Sequence, residues 1–147
     1  MATEPNPEVV ELVFPASSRY VRLSRLAAAT LASEVGFDVE EVDDLRIAVD
    51  ELVTFLVGPD HESRTSLRFV VSPEELVVEG RTERGHPADA RLSDLVEAIV
   101  SATTDEYVVD VSPDAIAFRI TKRRRRPADA DRSEEHTSEL QSRGLIS

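Results

Sequence analysis

The sequence predicts an α/β two-layer sandwich, a mostly antiparallel sheet covered on one face by helices. Two observations lead there: five short β-prone segments, and three stretches whose apolar residues recur every three or four positions. A third is their order, β-α-α-β-β-α-β-β, which suits helices segregated to one side of a sheet.

Residues 9–14 (VVELVF) form the first expected strand, and Pro15 stops it. Ser17 or Ser18 is placed to cap the helix that follows. Tyr20, Leu23, Ala27, Thr30 and Leu31 make its apolar stripe, and Gly36 stands at the position beyond its last turn. Asp38 opens a second helix, with Glu41 three residues on in a capping-box pair. There Val42, Leu45, Val49, Leu52 and Leu56 share one face, and Gly58-Pro59 ends the helix. Strands at 65–71 and 75–80 are joined as a hairpin across Ser72-Pro73-Glu74. Residues 81–90 read as a loop, and Leu92, Leu95, Val96, Ile99 and Val100 as a third amphipathic helix. Two strands close the pattern, 106–111 and 115–121, turning at Ser112-Pro113-Asp114.

Composition narrows the function. The 147 residues carry 29 acids against 17 Lys and Arg, a net charge of -12. Residues 1–121 alone hold 24 acids and 10 bases and stand near -14, with a basic run, KRRRR, following at 122–126. An acidic surface repels phosphate backbones and favours a basic protein partner, so binding of nucleic acid by the domain is not expected. The bland alternative is that the charge serves solubility alone. Cysteine is absent, which excludes thiol catalysis, disulfides and Cys-based zinc sites. The three histidines, His61, His86 and His136, lack metal-ligand spacing. No signal-peptide pattern opens the chain and no apolar run can span a bilayer, so a cytoplasmic protein without membrane contact is expected.

Four segments follow from these shifts in composition. Residues 1–8 are a flexible N-terminus, 9–122 the folded domain, 123–131 a basic, linker-like tail, and 132–147 a tail of foreign character. Within the last, RSEEHTSELQS at 132–142 looks like the translated read of a sequencing adapter, leaving the natural sequence beyond Asp131 undefined. The basic run is read as a frayed, solvated end, with an acidic partner or nucleic acid as the alternatives.

The stretch FDVEEVDDLRIAVDELVTFLV at 37–57 resembles the second helix of the anti-sigma regulatory factors, the RsbW-like serine/threonine kinases of the GHKL, or histidine-kinase-like, ATPase superfamily. Asp44, Leu45, Arg46, Ala48, Val49, Glu51 and Thr54 fit that family's motif D-L-(K/R)-x-A-V-x-E-x-x-T-N, and the order of elements fits over about 115 residues. The resemblance implies a Bergerat-type fold. It implies an anti-sigma factor that sequesters an alternative sigma factor, is countered by an anti-anti-sigma protein, and forms a homodimer through its sheet. The alternative it carries is an active ATP-dependent kinase that phosphorylates the anti-anti-sigma protein.

The same resemblance assigns the candidate site. Glu51 stands where the family has its general-base candidate, but Phe55 replaces the Asn that would hold Mg²⁺, and a phenyl ring offers no oxygen to a hard cation. Glu83 and Gly85 match in part the Asp-x-Gly-x-Gly that recognises adenine, with Pro87 in place of the second glycine. Asp94 and Val96 stand where a phosphate-cradling Gly-x-Gly belongs. No metal site and no bound cofactor are therefore expected, with ATP and Mg²⁺ admitted only if other residues compensate. Arg25 aligns with the arginine through which the family contacts sigma, and Arg22 lies one turn before it. Read without the family, Glu51 is a solvated helix carboxylate and the arginines are ordinary surface cations. The acid pairs Glu40-Glu41 and Asp43-Asp44 read as a solvated helix face.

Overall fold

The computed structural model describes residues 6–59, 62–83 and 89–125. Its elements are β1 (Glu8–Pro15), α1 (Val21–Val35), α2 (Val39–Val57), β2 (Arg64–Val71), β3 (Glu75–Glu83), α3 (Asp94–Thr103), β4 (Glu106–Val111) and β5 (Ala115–Arg123), in the expected order. A short 3-10 turn, Ser18–Tyr20, precedes α1. The strands form one sheet in the order β1-β2-β3-β5-β4, and every pairing is antiparallel. No helix among the described residues is long and apolar enough to cross a membrane.

Strand alternation separates the two faces of the sheet. One row on the helix side runs Val10, Phe69, Val78, Ile120 and Tyr107; the next runs Leu12, Leu67, Gly80, Phe118 and Val109. Apart from Val10, which is 39% exposed on the sheet's edge strand, these rows pack with Leu45, Val49, Leu52, Val53 and Leu56 of α2 to make the core. A third row ends the core at Phe14, Thr65, Thr82 and Ile116, where the two buried threonine hydroxyls satisfy each other at 2.8 Å. On the opposite face Glu11, Arg68, Glu79 and Arg119 alternate in sign across four strands, with N–O separations of 3.9, 3.8 and 4.0 Å.

Gly80 sets how closely α2 can lie on the sheet. A Cβ there would overlap the Phe118 ring and stand 2.7 Å from Leu56 Cδ1, so the missing side chain is the space those two residues fill. Gly36 ends α1 at φ 99°, in the left-handed region glycine adopts without a steric cost, as its position in the sequence predicts.

The pairing of α1 with α2 differs from the predicted stripe. Ser24, Ala28 and Ala32 are the fully buried positions, each one residue on from the expected Leu23, Ala27 and Leu31; Tyr20, Ala27 and Leu31 pack at the border of the core, and Leu23 and Thr30 face solvent. Small residues at successive i, i+4 steps let the two helix backbones approach closely, and that contact outranks the larger side chains. Ser17 takes the N-cap position of the 3-10 turn that leads into α1, and Tyr20 that of α1 itself, neither with a side-chain cap bond. Two further corrections concern strand and helix limits. The third strand extends to Glu83, through residues expected in a loop, because Thr82 pairs with both Thr65 and Ile116. Helix α3 begins at Asp94 behind a Ser93 cap, and Leu95 is 71% exposed rather than part of its buried stripe.

The basic run is not a frayed end. Lys122 and Arg123 belong to β5, and Arg124 and Arg125 lie against the turn between α1 and α2. Arg126 lies outside the described residues.

Two substitutions test this packing. Gly80→Ala should lower stability by about 1–3 kcal/mol in urea unfolding, since the ring and Leu56 must both move. Ser24→Ala should raise stability by about 1 kcal/mol or leave it unchanged, because the Ser24 hydroxyl is buried without a hydrogen-bond partner among the described residues.

Candidate functional site

The candidate site is built on α2, whose start is strongly determined. The Asp38 carboxylate accepts from the Glu41 backbone N–H at 2.7 Å, and Glu41 accepts from the Asp38 N–H at 2.9 Å. This is the predicted capping box, and a cap of this kind stabilises a helix by about 1 kcal/mol. Glu41 is only 2% exposed, and its second oxygen accepts from the backbone N–H of Arg125 at 2.7 Å. Asp44, one turn on, holds Lys122 Nζ at 3.1 Å in a largely buried pair. The acids at the head of α2 are thus not a merely solvated face: Glu41 and Asp44 bind the end of β5 to the helix. Around Arg125, the charges of Glu40, then Asp38 and Glu41, raise the guanidinium's hold on its proton.

The rest of the motif divides between packing and surface. Leu45, Ala48 and Val49 are fully buried in the core. Asp44, Glu51 and Phe55 follow one another at seven and four residues, so they share one side of the helix. Glu51 is half-buried, while Phe55 packs against the apolar core. The Thr54 hydroxyl donates to the carbonyl of Asp50 at 2.7 Å and so serves its own helix.

These residues do not fit Mg²⁺·ATP. On the motif side of α2, Asp44 is engaged by Lys122 and Phe55 has no oxygen, leaving Glu51 where Mg²⁺ wants several oxygen ligands. Among the described residues no group of three or more His, Asp or Glu converges to hold a metal. Glu83, the partial match to the adenine-recognising Asp, follows Thr82 and therefore points to the open face of the sheet, where it lies 3.7 Å from Arg81. At the start of α3 the Val96 N–H, one of the amides expected to cradle phosphate, is taken by the Ser93 hydroxyl at 3.2 Å. Asp94 and Glu97 add negative charge to that turn. Gly85 and Pro87 lie outside the described residues, as do all three histidines.

A different concavity is built from the helix pair. Arg22, Arg25 and Leu26 of α1 face Arg46, Ile47, Asp50 and Glu51 of α2 across a shallow groove of about 490 Å³. Leu26 and Ile47 are 51% and 40% exposed, a small apolar patch between three guanidinium groups. Arg25 reaches Asp50 at 3.5 Å and Arg46 reaches Asp43 at 3.1 Å, both exposed pairs that contribute little. Arg22 makes no ion pair with any described residue. The structure therefore brings together Arg22, Arg25 and Glu51, and keeps Glu83 apart on the other side of the sheet. Arg46, Leu26 and Ile47 were not anticipated. The signal for Ile47 was present, an apolar side chain two residues past Leu45 on the polar face of α2.

A five-stranded antiparallel sheet backed by three helices, with the motif glutamate on the second helix, is an arrangement of the GHKL type. No protein-family model matches the chain. It is 35% identical over 77 residues to the serine-protein kinase RsbW of Bacillus subtilis strain 168, covering 50% of this chain and 48% of that protein. With the serine-protein kinase RsbW of Listeria monocytogenes EGD-e the identity is 32% over 113 residues, 76% of this chain and 67% of the relative. The crystal structure of the RsbU and RsbW domains of Rv1364c from Mycobacterium tuberculosis superposes with a TM-score of 0.62 at 15% identity. That match covers 82% of this chain and 33% of the other, and establishes a shared fold. The chain belongs to the RsbW family of anti-sigma serine-protein kinases. It spans about half the length of the Bacillus relative it matches.

The misfit with Mg²⁺·ATP is measurable. About 2 mM nucleotide with excess Mg²⁺ should leave the melting temperature within about 1 °C of the nucleotide-free protein. Phe55→Asn, which restores one oxygen ligand, should not change that, because the Val96 amide stays capped. A rise of several degrees in either protein would mean that other residues complete the site.

Proposed function

We propose that this domain is an anti-sigma regulator that acts by occupancy. It binds an alternative sigma factor one to one, covers surfaces that engage core polymerase, and releases them when an anti-anti-sigma protein competes. The observation that carries this reading is the groove between α1 and α2, where Arg22, Arg25 and Arg46 frame Leu26 and Ile47. An apolar floor edged by guanidinium groups suits a protein partner, since arginine pairs bidentately with carboxylates and its stem covers apolar surface. Arg22 is the more telling of the two predicted contacts, because no described carboxylate neutralises it.

Phosphoryl transfer is not part of the proposal. A kinase needs Mg²⁺ on the nucleotide phosphates and donors around the transferring group, and the described residues offer Glu51 alone. Assembly as a homodimer through the open sheet face belongs to the same reading. The alternating Glu11, Arg68, Glu79 and Arg119 ladder could pair with its own two-fold copy, each sign meeting its opposite. The location that goes with a sigma partner is the bacterial cytoplasm.

A second reading is favoured by the names of the relatives, both serine-protein kinases, and by the accessible Glu51 carboxylate. It requires phosphate transfer from ATP to an anti-anti-sigma protein, lost in Glu51→Gln. The two readings part in one titration of the purified protein into core polymerase and a candidate alternative sigma factor, without nucleotide. Occupancy predicts that holoenzyme formation falls stoichiometrically. The double variant Arg22→Glu, Arg25→Glu should weaken the inhibition by about tenfold or more while folding normally, as expected for two arginines of a binding centre. Undisturbed holoenzyme formation at saturating protein would reject the occupancy reading.

A further inference from the structure

The basic run at the end of the described chain makes contacts with four separate parts of the fold. The Arg123 backbone N–H donates to Asp105 at 2.6 Å, and its guanidinium reaches Glu106 at 3.0 Å and Glu75 at 3.7 Å. The Arg124 backbone N–H donates to the Glu74 carbonyl in the turn between β2 and β3 at 2.7 Å. Its side chain donates to the Val35 carbonyl at 3.3 Å, satisfying an acceptor at the open end of α1. That guanidinium lies so close over the α1–α2 turn that a Cβ on Gly36 would stand 3.1 Å from it. Arg125 completes the set, with its backbone on Glu41 and its guanidinium 3.3 Å from Glu40 and 3.7 Å from Asp38.

Ion pairs and hydrogen bonds hold residues 122–125, and the guanidiniums of Arg123 and Arg125 are half-exposed. Lys122 is different: its pair with Asp44 is largely withdrawn from solvent. Exposed charge pairs weaken as salt screens them, whereas the buried pair is screened much less. The segment therefore has a firm root at Lys122 and salt-sensitive pairs at Arg123 and Arg125, with Arg124 between them held by backbone carbonyls.

We propose that residues 122–125 form an ionic clasp, a latch that fastens the end of β5 across the α1–α2 corner and opens at high ionic strength without unfolding the domain. The cations of Lys122, Arg123 and Arg125 are paired within the chain by Asp44, Glu75, Glu106, Asp38 and Glu40, while Asp105 and Glu41 accept from the backbone of the run. Closed, the clasp withholds the run from outside partners and ties the helix layer to the end of β5, an inner strand of the sheet. Open, it exposes the acidic head of α2 and the basic segment together. The inference does not depend on which partner the α1–α2 groove receives.

Limited trypsin digestion of the intact chain reads the clasp directly, because each of its residues is a cleavage site. Cuts after Arg123, Arg124 and Arg125 are mapped by mass spectrometry at about 20 mM and about 500 mM NaCl, with rates normalised to a small peptide substrate. Cuts after Arg68 and Arg81, inside the sheet, report global unfolding. Clasp cuts should be about fivefold or more faster at high salt while the sheet sites stay intact, the mark of a local opening. The variant Asp38→Asn, Glu40→Gln keeps the capping oxygen but removes the two carboxylates paired with the Arg125 guanidinium, and should be cut at low salt as fast as the wild type at high salt. Equal clasp rates at both salts, equal rates in wild type and variant, or clasp cuts that appear only together with cuts at Arg68 and Arg81 would each overturn the proposal.

Discussion

Everything in this domain is arranged about the contact between α2 and the sheet, and that contact depends on one missing side chain. At Gly80 the third strand presents bare backbone to the helix layer. Phe118 from the neighbouring strand folds over it, and Leu56 descends into the remaining space. The close approach lets one helix bury eight residues along its length. It also fixes which residues of α2 are left at the surface. Arg46, Ile47, Asp50 and Glu51 line the groove because the opposite side of the helix is committed to the core.

The motif that marks the family is mostly structural in this chain. Asp44 ties α2 to β5, Leu45, Ala48 and Val49 fill the core, and the Thr54 hydroxyl bonds back to its own helix. Arg46 and Glu51 are left with charged surface to offer. The same holds at the start of α3, where the helix amide that a phosphate would need is satisfied by Ser93. A GHKL frame can therefore persist as a frame. The residues that keep its helices in place are separable from those the family resemblance assigns to metal and nucleotide, and the packing demands fall on the first set.

Charge has two distinct uses in the molecule. On the sheet face, opposite signs alternate across strands and neutralise one another locally. At the corner of α1 and α2, the basic end of the chain meets the acidic head of a helix, a placement that suits both helix ends and offsets part of the net negative charge. The groove between α1 and α2 is separate from both, with Arg22 in no ion pair with any described residue. In an acidic protein an unmatched guanidinium beside exposed Leu26 and Ile47 is the feature that distinguishes this surface from its surroundings.

The amino-acid order by itself determined the class of fold, the sequence of elements, the capping box at Asp38 and Glu41, the left-handed stop at Gly36 and the turns at Ser72 and Ser112. These are local consequences of periodicity, capping and turn chemistry, written within a few residues of where they act. It also determined that position 55 carries no metal ligand. Tertiary structure alone decided the rest. Ser24, Ala28 and Ala32 became the buried side of α1 because closeness to α2 outweighed hydrophobic size. Thr82 drew the third strand three residues further because its partners lie on β2 and β5. Glu83 was turned to the far face by strand alternation, Lys122 found Asp44 across 78 residues of chain, and the basic run became a bound segment. Each of these depends on a partner distant in sequence, and no pattern within a single element can name it.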